Sequence, residues 1–315
     1  MRTLPPKSGK ALLTAALIAW ASQAWAQDAK VVVTIKPLHS LTAGVMAGVG
    51  DPYLLVQGNS SAHTYALKPS DASKLTHADV FFRMSETMEP FTVKVANSLP
   101  KRVQVVTLQG TRGLKLLPRR TGSTFEQDDH DHDHKHGHDH GRAAMDGHAW
   151  LDPVNAKVIV DRLVQVLSAK EPARAATFRG NGDALKTKLD ALVAELDRDL
   201  APVAKRPFIV FHDALQYFER RFNLRAVGSI SVSPEVPPSA QRLSALRKRI
   251  KALGAVCVLA EPQFDDRLVG NLVEGTRART GTIDPEGANI EPGAELYFKL
   301  LRNLSRDLRA CLAPA

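Results

Sequence analysis

VVVTIKP, residues 31–37, is a run of five β-branched residues closed by Lys36-Pro37. Side chains stiff at χ1 suit a strand, and the lack of polar alternation marks one buried on both faces. The run therefore reads as a buried strand feeding a turn and then a helix from about Ser40 to Val49, the opening of a parallel α/β unit. Tyr53 to Val56, Asp79 to Arg83 and Val103 to Thr107 repeat the short apolar strand. Helical stretches at Ser70 to Thr76 and Pro90 to Leu99 lie between them. This alternation predicts a first βα lobe.

Upstream of the strand, Arg2, Lys7 and Lys10 precede an apolar run from Ala11 to Ala21 and then Ala24-Trp25-Ala26. That order matches a cleavable secretory signal over residues 1–26. A transmembrane anchor needs about twenty apolar residues, whereas this run is shorter and interrupted by Thr14 and Ser22. The chain is therefore expected to be exported and soluble from about Gln27. Removing 26 of the 315 residues leaves 289, enough for two ordinary domains. The net charge is +9, but three basic residues fall in the leader and the rest are scattered, which argues against nucleic acid as a partner.

Downstream, the composition over residues 121–147 shifts to His, Asp and Gly with almost nothing apolar, so a disordered loop is expected. Asp152-Pro153 then supplies an N-cap and a proline at the first helical position. From Pro172, the apolar positions Phe178, Leu185, Leu189, Leu192, Leu196 and Leu200 fall on one face of a long helix. Gly180 and Gly182 each cost about 1 kcal/mol in a helix interior, so the helix either runs through, about thirty residues long, or breaks near Asn181. A second βα series has strands at Phe208 to Phe211, Arg225 to Val227, Val256 to Leu259 and Thr282 to Ile283. Its helices lie around Ala214 to Phe222 and Ser239 to Leu253. The expected organisation is a first lobe over 27–171, a connecting helix over 172–203 and a second lobe over 204–315. Cys257 and Cys311 are the two cysteines of an exported chain and read as one disulfide, since metal-binding cysteines come in closer pairs.

Three histidines stand out by position. His63 follows a strand in an irregular segment, His148 precedes Trp150-Leu151-Asp152-Pro153, and His212 ends the strand Phe208 to Phe211, where open α/β sheets place ligands. Imidazole nitrogens suit zinc, copper or nickel, whereas manganese prefers more carboxylate. Asp284, in a Thr282-Ile283-Asp284-Pro285 turn, is either a fourth ligand or an Asx turn before proline. His39 and His77 serve as comparison positions, both with ordinary structural explanations. The tract from Asp128 to His140 alternates imidazole and carboxylate through His130, His132, His134, His136, His138 and His140. It is a set of weaker, multiple cation sites, because a loop must lose entropy to fold around an ion. No HExxH, GxSxG, Walker A or GxGxxG motif is present. Only Glu261 and Asp213 tempt a general-base role. Each also has a structural alternative, Asp213 as a helix cap and Glu261 as an anchor for its loop.

Taken in order, HTYALKPSD (63–71), HAWLDP (148–153), FHDA (211–214), AEPQF (260–264) and GTIDP (281–285) resemble the metal-specific solute-binding proteins of ABC importers, on the zinc-uptake side of that group. The resemblance covers essentially the whole mature chain. It implies an α/β fold of two lobes joined by a rigid backbone helix, with Zn2+ as transported ligand in the interlobe cleft. His63 and His148 would come from the first lobe, His212 and Asp284 from the second. Manganese-specific relatives tend to carry a carboxylate where this chain has His212, which points to zinc. Some zinc members carry a glutamate just before the first ligand histidine, whereas this chain has Ala62, so Asp284 or water is left for the fourth position. The resemblance further implies a periplasmic monomer, a membrane permease of a zinc ABC importer as partner, an accessory periplasmic zinc protein as a second one, and the Cys257–Cys311 disulfide. A zinc-dependent hydrolase and a metal-binding adhesin of the same fold are the alternatives.

Overall fold

The computed structural model describes residues 29–120, 122, 124–125, 145–231, 237–253 and 257–313. The leader over 1–26 and the histidines from His130 to His140 lie outside them. The first sheet holds β1 (Val31–Val33), β2 (Tyr53–Leu54), β3 (Val80–Arg83) and β4 (Gln104–Thr107), all parallel, in the order β2-β1-β3-β4. The helix after β1 starts earlier than expected, at Lys36, and runs to Val45 as α1. Pro37 does not force a turn there, because a proline in the first helical turn has no needed N–H to lose and its φ is already helical. The lobe is completed by α2 (Pro69–Thr76), α3 (Thr92–Ser98) and α4 (Pro153–Lys170). Asp152 caps α4 by accepting from the Val154 N–H.

The connecting helix α5 (Ala175–Leu200) is flanked by short 3-10 turns at Pro172–Arg174 and Ala201–Val203. It is continuous through Gly180 and Gly182, the unbroken one of the two outcomes the sequence left open. Asn181 holds its place by donating to the Val45 and Ala47 carbonyls. A Cβ at Gly182 would meet Val164 at 2.6 Å, so the missing side chain lets α4 and α5 close together.

The second sheet repeats the topology of the first. β5 (Pro207–His212), β6 (Arg225–Ser231), β7 (Cys257–Ala260) and β8 (Arg279–Thr282) are parallel in the order β6-β5-β7-β8. Around it lie α6 (Gln216–Phe222), α7 (Ala240–Leu253), α8 (Arg267–Val273) and α9 (Leu296–Leu312). The sequence reading placed the last strand too late, because β8 is a polar edge strand with little apolar signal. It contained no counterpart of α8 or α9, although Leu296, Leu300, Leu304 and Leu308 carry α9's helical spacing. The disulfide joins Cys257 of β7 to Cys311 of α9 at a Cα separation of 5.8 Å and stabilises the fold by about 4 kcal/mol on the chain-entropy account.

One hydrophobic cluster runs through both lobes, joining Leu38, Leu41 and Val45 of α1 to Leu185, Leu189 and Leu192 of α5 and to Leu300, Leu301 and Leu304 of α9. Polar ties cross the same seam. Lys36 Nζ donates to the carbonyls of Gly287, Ala288 and Ile290, Trp150 Nε1 donates to Pro285 O, and Tyr297 Oη donates to Trp150 O. The described ends of the stretch 121–147 are also paired, Thr124 bridging Gly228 of β6 and Met145 bridging Pro118. No helix among the described residues is long and apolar enough to cross a membrane.

Gly182→Ala is expected to destabilise the protein by about 1–3 kcal/mol through overpacking against Val164, despite the higher helix propensity of alanine. Gly180→Ala, with open space around the added carbon, gains up to about 1 kcal/mol. Denaturant titration of both variants checks the pair, and a stabilised Gly182→Ala would contradict the close approach.

Candidate metal centre

Three chain segments converge where the two lobes meet. The segment after β2 carries His63, and Asp71 of α2 holds it in shape by accepting from Tyr65 Oη (2.6 Å), Tyr53 Oη (3.2 Å) and the Lys68 N–H (3.3 Å). His148 stands just before a 3-10 turn at Ala149–Leu151, and His212 is the last residue of β5. His148 and His212 are buried and His63 partly so.

The orientation of two of the rings is set by carboxylates. His148 Nδ1–H donates to Asp146 Oδ1 at 2.7 Å, and the His148 backbone N–H donates to the same oxygen at 3.0 Å. His212 repeats the arrangement with Glu261 Oε1, at 2.7 Å from Nδ1 and 3.2 Å from the backbone N–H. A proton fixed on Nδ1 leaves the lone pair on Nε2, which is the pattern of a metal-binding imidazole with an outer carboxylate. Asp146 is itself anchored, because Tyr217 Oη donates to its carbonyl at 2.8 Å.

The three Nε2 atoms meet. His148 Nε2 lies 3.3 Å from His63 Nε2 and 3.3 Å from His212 Nε2, and the three ligand atoms fall within 4.8 Å of one another. Tetrahedral bonds of about 2.0–2.1 Å to zinc require nitrogens about 3.3–3.4 Å apart. Right-angled octahedral bonds of the same length would bring them to about 2.9 Å. The two 3.3 Å separations therefore fit a tetrahedral ion.

The electrostatics point the same way. Burial, and then the neighbouring imidazoles, hold His63 and His148 well below the usual histidine range. Burial also opposes charge on His212, but Glu261 outweighs it and leaves that ring above the usual value. Burial pushes Asp146 up to about 7 and Glu286 up to about 8. A divalent cation would be the favourable neighbour for all of these groups at once.

The structure thus brings His63, His148 and His212 together, and it leaves Asp284 outside that cluster. Asp284 Oδ1 accepts from the backbone N–H of Gly287 (2.8 Å) and Glu286 (3.3 Å) and from Gln263 Nε2 (3.3 Å), while Oδ2 accepts from the Asn289 N–H (3.4 Å). This is the Asx-turn alternative. His39 is buried in α1 with Nε2 at 3.0 Å from Pro52 O, and His77 caps α2 through Ser73 O at 2.8 Å. Asp213 does not cap α6; it pairs with Arg120, which also holds Glu219. Sequence reading missed Asp146 and gave Glu261 no role toward His212. An Asp two residues before a candidate ligand was the available signal for the first. The second needed the β5–β7 pairing, which sequence spacing does not contain.

Comparison with known proteins agrees with this geometry. Residues 31–311 match the family model described as ZnuA, zinc-uptake complex component A, periplasmic. The high-affinity zinc uptake system protein ZnuA of Brucella suis is 46% identical over 305 residues, covering 90% of this chain and 91% of that protein. Its counterpart in Paracoccus denitrificans is 33% identical over 322 residues, covering 96% and 97%. Among solved structures, a crystal structure of ZnuA superposes with a TM-score of 0.75 at 23% identity, covering 91% of this chain and 100% of that one. The laminin-binding protein of Streptococcus agalactiae does so with a TM-score of 0.73, also at 23% identity, over 90% and 100%. Those two likenesses establish the fold, and the family match with the Brucella relative establishes the kinship: the chain belongs to the ZnuA family of zinc-uptake components.

Proposed function

We infer that this chain is the zinc-binding component of a periplasmic zinc uptake system, which captures Zn2+ through His63, His148 and His212 and delivers it to the membrane permease of an ABC importer. The observation that carries the reading is the pair of 3.3 Å Nε2 separations, because they match tetrahedral zinc. Zinc is cargo here and undergoes no chemistry. The chain is not an enzyme: its family and relatives are components of zinc uptake systems, and the two carboxylates the sequence singled out as bases are engaged, Asp213 by Arg120 and Glu261 by His212.

Residues 1–26 direct export and are then removed, and the mature protein works as a monomer of two lobes, 27–171 and 204–315, joined by residues 172–203. The core that runs through both lobes favours small adjustments around the cleft over a wide hinge motion. The permease then reads the surface that forms when the His63 segment settles on the ion. The histidines from His130 to His140 act as weaker collecting sites, and an accessory periplasmic zinc protein exchanges metal with them.

Calorimetry against a competing chelator should find one tight zinc site in the mature protein. That site should vanish in a His63→Ala, His148→Ala, His212→Ala triple variant while weaker binding persists; retention of the tight site would move capture elsewhere. Asp146→Asn and Glu261→Gln should each weaken zinc binding about 10–100-fold through loss of ring orientation. Unchanged affinities would remove the carboxylates from the account.

Affinity should also depend on pH in a defined direction. Zinc needs neutral imidazole, so protonation competes with binding. His212, held above the usual value, is the first of the three to take a proton as pH falls, while His63 and His148 stay neutral further into acid. The association constant should therefore drop about tenfold per unit as pH falls through the His212 range, and more steeply below it. A flat profile between pH 7 and 5 would contradict a histidine site.

A further inference from the structure

The structure assigns a second binding site, an arginine-lined pocket at the β6 edge of the second sheet that takes a small polycarboxylate anion. None of the three clustered histidines lines it, and the inference does not depend on zinc capture.

The pocket has a volume of about 880 Å³ and lies between the chain leading into residues 121–147, the end of α6, the start of β6, and α7. Local sequence builds its walls. Asn223 ends α6 in the left-handed region, at φ 52°, which asparagine adopts more readily than most residues. The Leu224 N–H then donates back to Glu219 O at 2.9 Å. This tight reversal sends Arg220 of α6 and Arg225 of β6 to the same cavity. Thr124 bridges Gly228, and the Phe125 N–H donates to Val227 O at 3.0 Å. Phe125 is thereby buried on the β6 edge, and with Ala226 and Val227 it gives the pocket an apolar floor.

Five guanidinium groups line the cavity, from Arg119, Arg120, Arg220, Arg225 and Arg249, against one carboxylate, Glu219. That carboxylate is already engaged. Arg120 pairs with it and with Asp213, and lies over the Phe125 ring at 3.7 Å. The other four arginines form no ion pair among the described residues. Arg249 is in addition short of an acceptor, since its Nε is buried without a hydrogen-bond partner and its Nη2 donates only to Phe125 O, at 3.4 Å. A buried donor left unpaired is costly, and like charges gathered in one concavity repel one another while focusing a positive field on its interior. An oxyanion in the pocket relieves both costs.

The lining also selects among oxyanions. The planar fork of arginine matches carboxylate and phosphate groups. Several forks spread around a cavity of small-molecule size call for a ligand with more than one anionic group. The floor of Phe125, Ala226 and Val227 suits a short hydrocarbon skeleton between carboxylates, which inorganic phosphate lacks.

The test is calorimetric titration of the mature protein with tricarballylate, a flexible tricarboxylate, at about 0.15 M salt so that loose surface attraction is screened. Inorganic phosphate and an aspartate-rich peptide are the comparison ligands, and Arg225→Gln/Arg249→Gln and Arg220→Gln the comparison proteins. Expected is saturable one-to-one binding of tricarballylate, weakened at least about tenfold in the double variant and several-fold in Arg220→Gln. The ligand-free variants should melt no lower than wild type, because substitution removes repulsion. Should the double variant fail to fold, Arg220→Gln on the exposed side of α6 decides alone. No saturable binding, or wild-type binding in the variants, would overturn the site. Phosphate or the peptide binding more tightly than tricarballylate would overturn the ligand class. Binding that appears only after deletion of residues 128–140 would make the chain's own acids the occupant and overturn the inference as well.

Discussion

Three imidazole lone pairs pointed at one spot, 3.3 Å apart in sequence-distant pairs, are the constraint on which the rest of this structure depends. Without a cation, such an arrangement is electrostatically unfavourable, so it exists only where the surroundings over-determine it. Two carboxylates do much of that work by fixing the Nδ1 protons of His148 and His212. The protein thus carries the organisational cost in the fold, with the three ligand atoms already gathered within 4.8 Å of one another.

The fold supplies this pre-organisation by making the seam between lobes part of the core. α1, α5 and α9 share one apolar cluster, and Lys36, Trp150 and Tyr297 carry hydrogen bonds across the same boundary. His148 and His212 sit beside this seam, whereas His63 rides on a segment tethered mainly through Asp71. The natural consequence is an asymmetric cluster with two fixed imidazoles and a third on irregular backbone. The two sheets share one strand order, with β1 and β5 in equivalent places. His212 at the end of β5 therefore follows the rule that parallel sheets gather ligands at their carboxyl ends.

Much of this was legible in the sequence, for identifiable reasons. Strands buried on both faces, such as Val31 to Ile35 and Phe208 to Phe211, announce themselves as apolar runs. The long amphipathic helix does so by its leucine spacing. Its continuity stayed open in the sequence because intrinsic propensity alone weighs against Gly180 and Gly182, while the close packing of Val164 on Gly182 is a tertiary fact. β8 was placed too late because an edge strand of Arg, Thr and Gly has no apolar signature. At the site, the three histidines were chosen by position relative to strands and turns. Their mutual distances, the carboxylates behind them and the turn that occupies Asp284 depend on how the two sheets face each other, which no local spacing encodes.

The most direct test of the central claim is a crystal structure of the mature protein with one equivalent of zinc, phased across the zinc absorption edge to locate the ion by anomalous scattering. The account predicts a single strong peak about 2.0–2.1 Å from the Nε2 atoms of His63, His148 and His212, with Asp146 and Glu261 still on the Nδ1 sides. A principal peak bound to other residues, or a cleft without zinc while the ion is held elsewhere, would contradict it.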